Sequence, residues 1–132
     1  VTVRRAVPGP RPKVSVIVPT RDRADLLAQC AQGVLASGYE PLELLIIDNG
    51  SVEPETRMLF ARLSNDPRVR VLSAPGPFNF SALNNRAAAE ATGEILLLLN
   101  NDISMPAPGW LEPLVAQAVR PGVGAAGARL LY

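Results

Sequence analysis

The sequence predicts an α/β fold: a doubly wound, mostly parallel sheet with helices on both faces and strand order 3-2-1-4. Three observations carry this reading. Short apolar runs recur along the chain at residues 14–18, 42–47, 69–72 and 95–99. Stretches with helical apolar spacing separate them. Most of the runs end directly in a short polar cluster. Alternation of the two patterns points to strand–helix–strand units and a parallel sheet. Right-handed crossovers, with a reversal after the third strand, then give the order 3-2-1-4.

The elements follow in turn. Residues 1–13 are polar, basic and proline-rich, and are expected to be a linker or extension. Residues 14–18 are a β-branched run closed by Pro19 and read as a buried strand. Leu26, Leu27, Cys30, Val34 and Leu35 give residues 22–36 a helical face, with Gly38 as the stop and Asp22 expected to cap this helix. Residues 42–47 form the second strand, ending in Asp48-Asn49-Gly50-Ser51. A second helix is expected over 54–63 with Met58, Leu59 and Leu63 as its inner face, then a short strand over 69–72. After a Pro/Gly loop, an alanine-rich helix over 80–91 is closed by Gly93. The uninterrupted run 95–99 reads as a strand buried on both faces, as parallel sheets require. Residues 110–119 form a fourth helix in which Trp110 is expected to anchor packing, and a last strand is expected within 123–131.

Composition narrows the chemistry. The chain has 132 residues, of which 48% are hydrophobic and 19% charged, enough apolar material for a core. A net charge of +1 gives no field for nucleic acid, and no nucleic-acid partner is expected. No histidine is present, which excludes Ser-His-Asp and Cys-His nucleophile systems and histidine-held metals. The single cysteine, Cys30, excludes an intrachain disulfide and a thiolate zinc cluster, and is expected to be an inert core residue. Any metal is then a hard cation on oxygen ligands. No run reaches the roughly 18 apolar residues that span a bilayer, and no signal-peptide pattern opens the chain. The expected location is cytoplasmic, with room for peripheral attachment at the inner membrane face.

In a doubly wound sheet, ligands bind at the carboxyl ends of the strands, near the switch in strand order. Three polar clusters fall there: residues 20–23 after the first strand, 48–51 after the second and 100–102 after the fourth. Neither a G-x-G-x-x-G fingerprint nor a P-loop is present. The tools left for a phosphorylated ligand are Thr20, Arg21 and Arg23 beside the carboxylates Asp48 and Asp102. Asp48 suits a base or ribose, and Asp102 suits a divalent cation that neutralises a diphosphate.

Val14-Ser-Val-Ile-Val-Pro-Thr20, Leu45-Ile-Ile-Asp48-Asn-Gly-Ser51 and Gly93-Glu-Ile-Leu-Leu-Leu-Leu-Asn-Asn-Asp102, in this order and spacing, resemble the family 2 glycosyltransferases of the GT-A fold. The segment from Asn79 to Ala87 and Pro108-Gly109-Trp110-Leu111 resemble the same family. The resemblance runs from Lys13 to Tyr132 and implies a nucleotide-diphospho-sugar transferase-like sheet. It also implies transfer of a sugar, usually with inversion, from a UDP-, dTDP- or GDP-sugar to a saccharide or lipid-linked acceptor. Polysaccharide and O-antigen synthesis are the expected settings.

By that resemblance Pro19, Thr20, Arg21, Arg23, Asp48, Asn49, Asn84, Asn100 and Asn101 line the nucleotide-sugar site, and Asp102 holds Mg²⁺ or Mn²⁺. The family's D-x-D motif falls on Asn100-Asn101-Asp102, so its first aspartate is replaced by an amide here. The family's catalytic base is an acidic residue of a later, acceptor-binding half. The expectation is therefore that residues 14–132 are the nucleotide-sugar-binding part of a longer domain, that no general base lies among them, and that this part alone is inactive. Two other classes stay open. A receiver-like phosphoacceptor domain shares the sheet and a Mg²⁺ site and needs an acidic pair after the first strand and a late lysine, but the only lysine here is Lys13, ahead of the first strand. A noncatalytic nucleotide- or protein-binding module of the same fold is favoured by Asn100 alone.

Overall fold

A computed structural model describes residues 11–105, 108–120 and 122. Its elements are β1 (Val14–Thr20), α1 (Ala24–Leu35), β2 (Leu42–Asp48), α2 (Pro54–Leu63), β3 (Val69–Ser73), α3 (Phe80–Glu90), β4 (Ile95–Leu98) and α4 (Leu111–Ala118). The four strands form one parallel sheet in the order β3-β2-β1-β4, as expected from the alternation. The strand expected within 123–131, and residues 1–10 of the expected linker, lie outside the described residues. Residues 11–13 belong to the folded body rather than to a free linker. Arg11 pairs with Glu112 at 3.0 Å and stacks on the Tyr39 ring, and the Tyr39 hydroxyl donates to the Pro12 carbonyl at 2.6 Å. Among the described residues, no helix is long and apolar enough to cross a membrane.

Strand alternation sorts the core into two layers. Val14, Val16 and Val18 of β1 and Leu42, Leu44 and Ile46 of β2 face α1, α2 and α4, meeting Leu27, Cys30, Val34, Leu59, Leu111 and Val115. Ile17, Leu45 and Ile47 face the other way, onto Leu83 and Ala87 of α3. Trp110 packs against the larger cluster and donates its indole N–H to the Gly33 carbonyl at 3.0 Å, as its expected anchoring role requires.

Three details depart from the sequence reading. β4 is not buried on both faces: Leu96 and Leu98 are 47% and 51% exposed, because α3 packs over β1 and β2 and, among the described residues, no element covers this face of β4. Met58 is not on the inner face of α2; it points to solvent, and Thr56 and Leu59 are the buried residues. Asp22 does not cap α1, whose N-cap is Arg23 with no side-chain cap bond.

At the amino end of the sheet a buried polar knot ties β1, β2 and the α3–β4 connection together. The Ser15 hydroxyl donates to Glu43 Oε2 at 2.5 Å, and the Thr92 N–H and hydroxyl donate to the same oxygen at 2.7 and 3.0 Å. The Gly93 N–H donates to Ser15 Oγ at 2.8 Å. Burial pushes the Glu43 carboxyl up, but the Ser15 and Thr92 hydrogen bonds and the Lys13 charge outweigh it and hold the pKa below the ordinary glutamate value. A depressed folded pKa contributes stability above the unfolded pKa of about 4.3, and that contribution is lost as pH falls through the folded value. Melting temperatures taken from pH 7 to pH 3 should fall in acid. Glu43→Gln should flatten part of that fall, leaving the part due to Asp66, which Arg68 holds down to about 2. An unchanged acid slope in Glu43→Gln would remove the knot from the pH dependence.

Candidate functional site: a cleft at the carboxyl edge of the sheet

The carboxyl ends of β1, β2 and β4 come together at one edge. In register, Thr20 lies beside Asp48, and Ile17 beside Leu98, so the three polar clusters that follow these strands share that edge. A cleft of about 220 Å³ opens there, lined by Pro19, Thr20, Arg21, Phe78, Phe80, Asn100, Asn101 and Asp102. The walls are cross-tied: the Asn101 side-chain amide donates to Thr20 Oγ1 at 3.2 Å. Two backbone bonds carry the ties into the sheet, from the Asn49 N–H to the Thr20 carbonyl and from the Leu99 N–H to the Ile17 carbonyl, each at 2.9 Å.

The sequence-expected residues divide into three groups. Pro19, Thr20, Arg21, Asn100, Asn101 and Asp102 line the cleft itself. Pro19, read as the residue closing the first strand, lies inside β1 and pairs in register with Ile47. Arg21 is exposed and, among the described residues, makes no ion pair, so its guanidinium is available to an anion. Asp48 ends β2 next to Thr20. Its Oδ1 accepts the Ser51 N–H at 2.9 Å, which leaves Oδ2 without a hydrogen bond among the described residues.

Asn49 and Asn84 are buried beside this edge rather than in the cleft. The Asn49 amide donates to the Ala74 and Gly76 carbonyls at 2.9 and 3.2 Å, closing the loop after β3. The Asn84 amide donates back to the Phe80 carbonyl at 3.0 Å within α3. Each leaves a buried Oδ1 with no partner among the described residues, a costly arrangement that a water or a ligand donor relieves. Arg23 is the exception. Its guanidinium turns to Asp25 on α1 at 3.3 Å and does not line the cleft.

Phe78 and Phe80 are cleft residues that the sequence reading did not single out. Phe78 is 66% exposed and Phe80 42%, which is unusual for phenylalanine and places two aromatic faces against an otherwise polar site. The available signal was their position, Phe78 directly after Pro75-Gly76-Pro77 and Phe80 at the first position of α3. Below the cleft, the Cys30 thiol donates weakly to the Asn100 carbonyl at 3.5 Å. Burial, with the Asp102 charge adding to it, pushes that thiol up to about 12, so Cys30 is the neutral floor of the loop.

The donor set suits one kind of metal. Among the described residues no three acidic, cysteine or histidine groups converge, so there is no self-sufficient cation cage. Asp102, exposed at the cleft and flanked by the Asn100 and Asn101 amides, fits Mg²⁺ or Mn²⁺ bound through one carboxylate and completed by phosphate oxygens and water.

Known proteins share this architecture. The model of the family described as glycosyl transferase family 2 matches residues 15–132. The O-antigen biosynthesis protein RfbC of Myxococcus xanthus is 49% identical over 133 residues, covering 98% of this chain and 10% of that protein. An uncharacterized protein of Sinorhizobium fredii is 48% identical over 92% of this chain and 14% of its own length. The mannosyltransferase PcManGT of Pyrobaculum calidifontis, solved with GDP-Man and Mn²⁺, superposes with a TM-score of 0.78 at 26% identity, over 89% of this chain and 35% of its own. The chain thus spans a small part of each of these proteins. Sheet order, alternating helices and structural neighbours agree on a GT-A-like fold, and the chain belongs to glycosyl transferase family 2.

Proposed function

We propose that this chain is the donor-binding part of a glycosyltransferase that moves a sugar, with inversion, from a nucleotide diphosphate sugar to a saccharide or lipid-linked acceptor. The observation that carries the reading is the meeting of Thr20 and Arg21 with Asn100, Asn101 and Asp102 around one cleft at the carboxyl edge of a parallel sheet. RfbC's role in O-antigen biosynthesis supports cell-surface polysaccharide as the setting. GDP-Man and Mn²⁺ in the mannosyltransferase support the ligand class.

The residues divide the labour by their chemistry. Asp48 Oδ2, Thr20 and Pro19 take the base and ribose. Arg21 takes the diphosphate, as a guanidinium matches phosphate oxygens in charge and geometry. Phe78 and Phe80 offer apolar faces to a ring of the donor. Asp102, with Asn100 and Asn101, holds Mg²⁺ or Mn²⁺, which when bound offsets the charge of the diphosphate leaving group. Asp102 is the only carboxylate among the described residues that line the cleft, and a metal-holding carboxylate is not free to serve as general base. The base therefore comes from residues other than those of this cleft.

Asp48→Ala should weaken nucleoside diphosphate binding by about 1–3 kcal/mol, the cost of losing a charged hydrogen-bond partner. Calorimetry on the intact protein checks this. Unchanged affinity with an intact fold by circular dichroism would take Asp48 out of the site.

A further inference from the structure

Asp22 and Arg23 are consecutive non-glycine residues in the left-handed region, each with φ of 55°. Such backbone persists only where its surroundings over-determine it. Here the bonds converge on Asp22. Its N–H donates to the Ser51 hydroxyl at 2.7 Å. Its Oδ1 accepts the Val52 and Glu53 N–H groups at 3.0 and 2.9 Å and the Thr56 hydroxyl at 3.4 Å. Its carbonyl accepts the Thr20 hydroxyl at 3.3 Å. Asp22 thus caps α2 from the loop that follows β1, where Glu53, the N-cap of α2, makes no side-chain cap bond of its own. A carboxylate in that position also meets the positive end of the helix.

The bonds form a relay. The Asp22 carboxylate holds the Val52 and Glu53 N–H groups and its main-chain N–H holds Ser51 Oγ. Together they fix the turn from which the Ser51 N–H reaches Asp48 Oδ1 at 2.9 Å, and only the carboxylate tie is lost in a side-chain variant. We infer that Asp22 is a positioning residue for the donor site: it locks the turn after β2 onto the turn after β1, so that Asp48 presents its remaining oxygen to the nucleotide. The inference rests on the donor-site reading of the cleft.

The test is calorimetric titration of the intact protein with UDP, GDP and dTDP in the presence of Mn²⁺. The variants are Asp22→Gly, Asp22→Asn, Ser51→Ala, Asp48→Ala and the Asp22→Gly/Asp48→Ala pair. Glycine removes the carboxylate while easing the positive φ, so backbone strain does not confound the result. Asp22→Gly should weaken the bound nucleotide about tenfold. Asp22→Asn keeps an Oδ1 acceptor and tolerates the left-handed region, and should stay within about twofold of the parent. In the Asp48→Ala background, Asp22→Gly should add nothing, because the relay then has nothing left to position.

Parent-like affinity in Asp22→Gly overturns the inference. So does an undiminished loss in the Asp48→Ala background, which would make Asp22 a helix cap alone. If Asp22→Gly fails to fold, Ser51→Ala removes the other tie between the two turns, the Asp22 N–H bond to Ser51 Oγ, and must show a loss that Asp48→Ala masks; no loss there is equally fatal. A parent that binds none of the three nucleotides sinks the donor-site reading itself, and so separates that failure from failure of the relay.

Discussion

Asp102→Asn should abolish the metal dependence of nucleotide binding and lower sugar transfer by the intact protein on the order of a hundredfold or more, the scale of a lost Lewis-acid contribution. The expectation follows from how little anionic character the cleft holds. Among the described residues Asp102 is the one carboxylate lining it and no three-residue acidic cluster lies elsewhere, while Asn100 stands where a second charge would add affinity. Mg²⁺ and Mn²⁺ then bind weakly without nucleotide and much better with a diphosphate to complete their shell. The reverse substitution sharpens the test: Asn100→Asp should raise metal affinity in the absence of nucleotide. Titrations of both variants with Mn²⁺, with and without UDP or GDP, read the effect directly. An Asp102→Asn protein that keeps the parent's metal-dependent affinity would remove Asp102 from the site.

Gly93→Ala should destabilise the fold by about 3 kcal/mol, the upper end of the range for overpacking. A Cβ at this position would lie 2.5 Å from Ser15 Oγ, 2.7 Å from Ser15 N and 2.8 Å from the Lys13 carbonyl oxygen. Two of those three atoms are backbone, one in β1 and one in the residue just before it, which no side-chain rotation can move. The third is the hydroxyl at the centre of the Glu43 knot, so displacing it also weakens the bonds to Glu43 and to the residue 93 amide. Glycine is thus demanded by close approach of two segments and not, as expected, by closing the preceding helix, which ends at Glu90 with Ala91 as its C-cap. Chemical denaturation of the parent and Gly93→Ala measures this; a difference under about 1 kcal/mol would mean that strand and loop part easily.

The fold was legible because each strand is a short apolar run with a sharp polar end, and each helix carries its own periodicity. Element boundaries moved by only a few residues, and the 3-2-1-4 order followed from handedness. What the sequence did not carry was tertiary. The run at Ile95–Leu98 reads as buried on both faces, but burial depends on whether a neighbour covers each face, and α3 lies over β1 and β2 instead. Met58 fits a helical stripe, yet the inner face of α2 includes Thr56, whose hydroxyl reaches Asp22 and which looks polar in one dimension.

The site shows the same division. Thr20, Arg21, Asn100, Asn101 and Asp102 were readable because strand ends of a doubly wound sheet collect at one edge. Arg23 looked equivalent to Arg21, but the left-handed turn swings it toward Asp25. Asp22 looked like a cap for its own helix, yet its partners lie about thirty positions downstream, on the next loop. Phe78 lies outside every motif and Phe80 inside one that does not mark it as a site residue; the fold brings both to the cleft.

Paramagnetic broadening by Mn²⁺ in the presence of UDP or GDP tests the donor-site reading most directly. The amide signals of residues 20–21, 78–80 and 100–102 should broaden together at low Mn²⁺, and only weakly when nucleotide is left out. They should stay sharp under both conditions in Asp102→Asn. Broadening that centres on other surface carboxylates, or that is indifferent to nucleotide, would contradict the assignment of this cleft as the metal–nucleotide site.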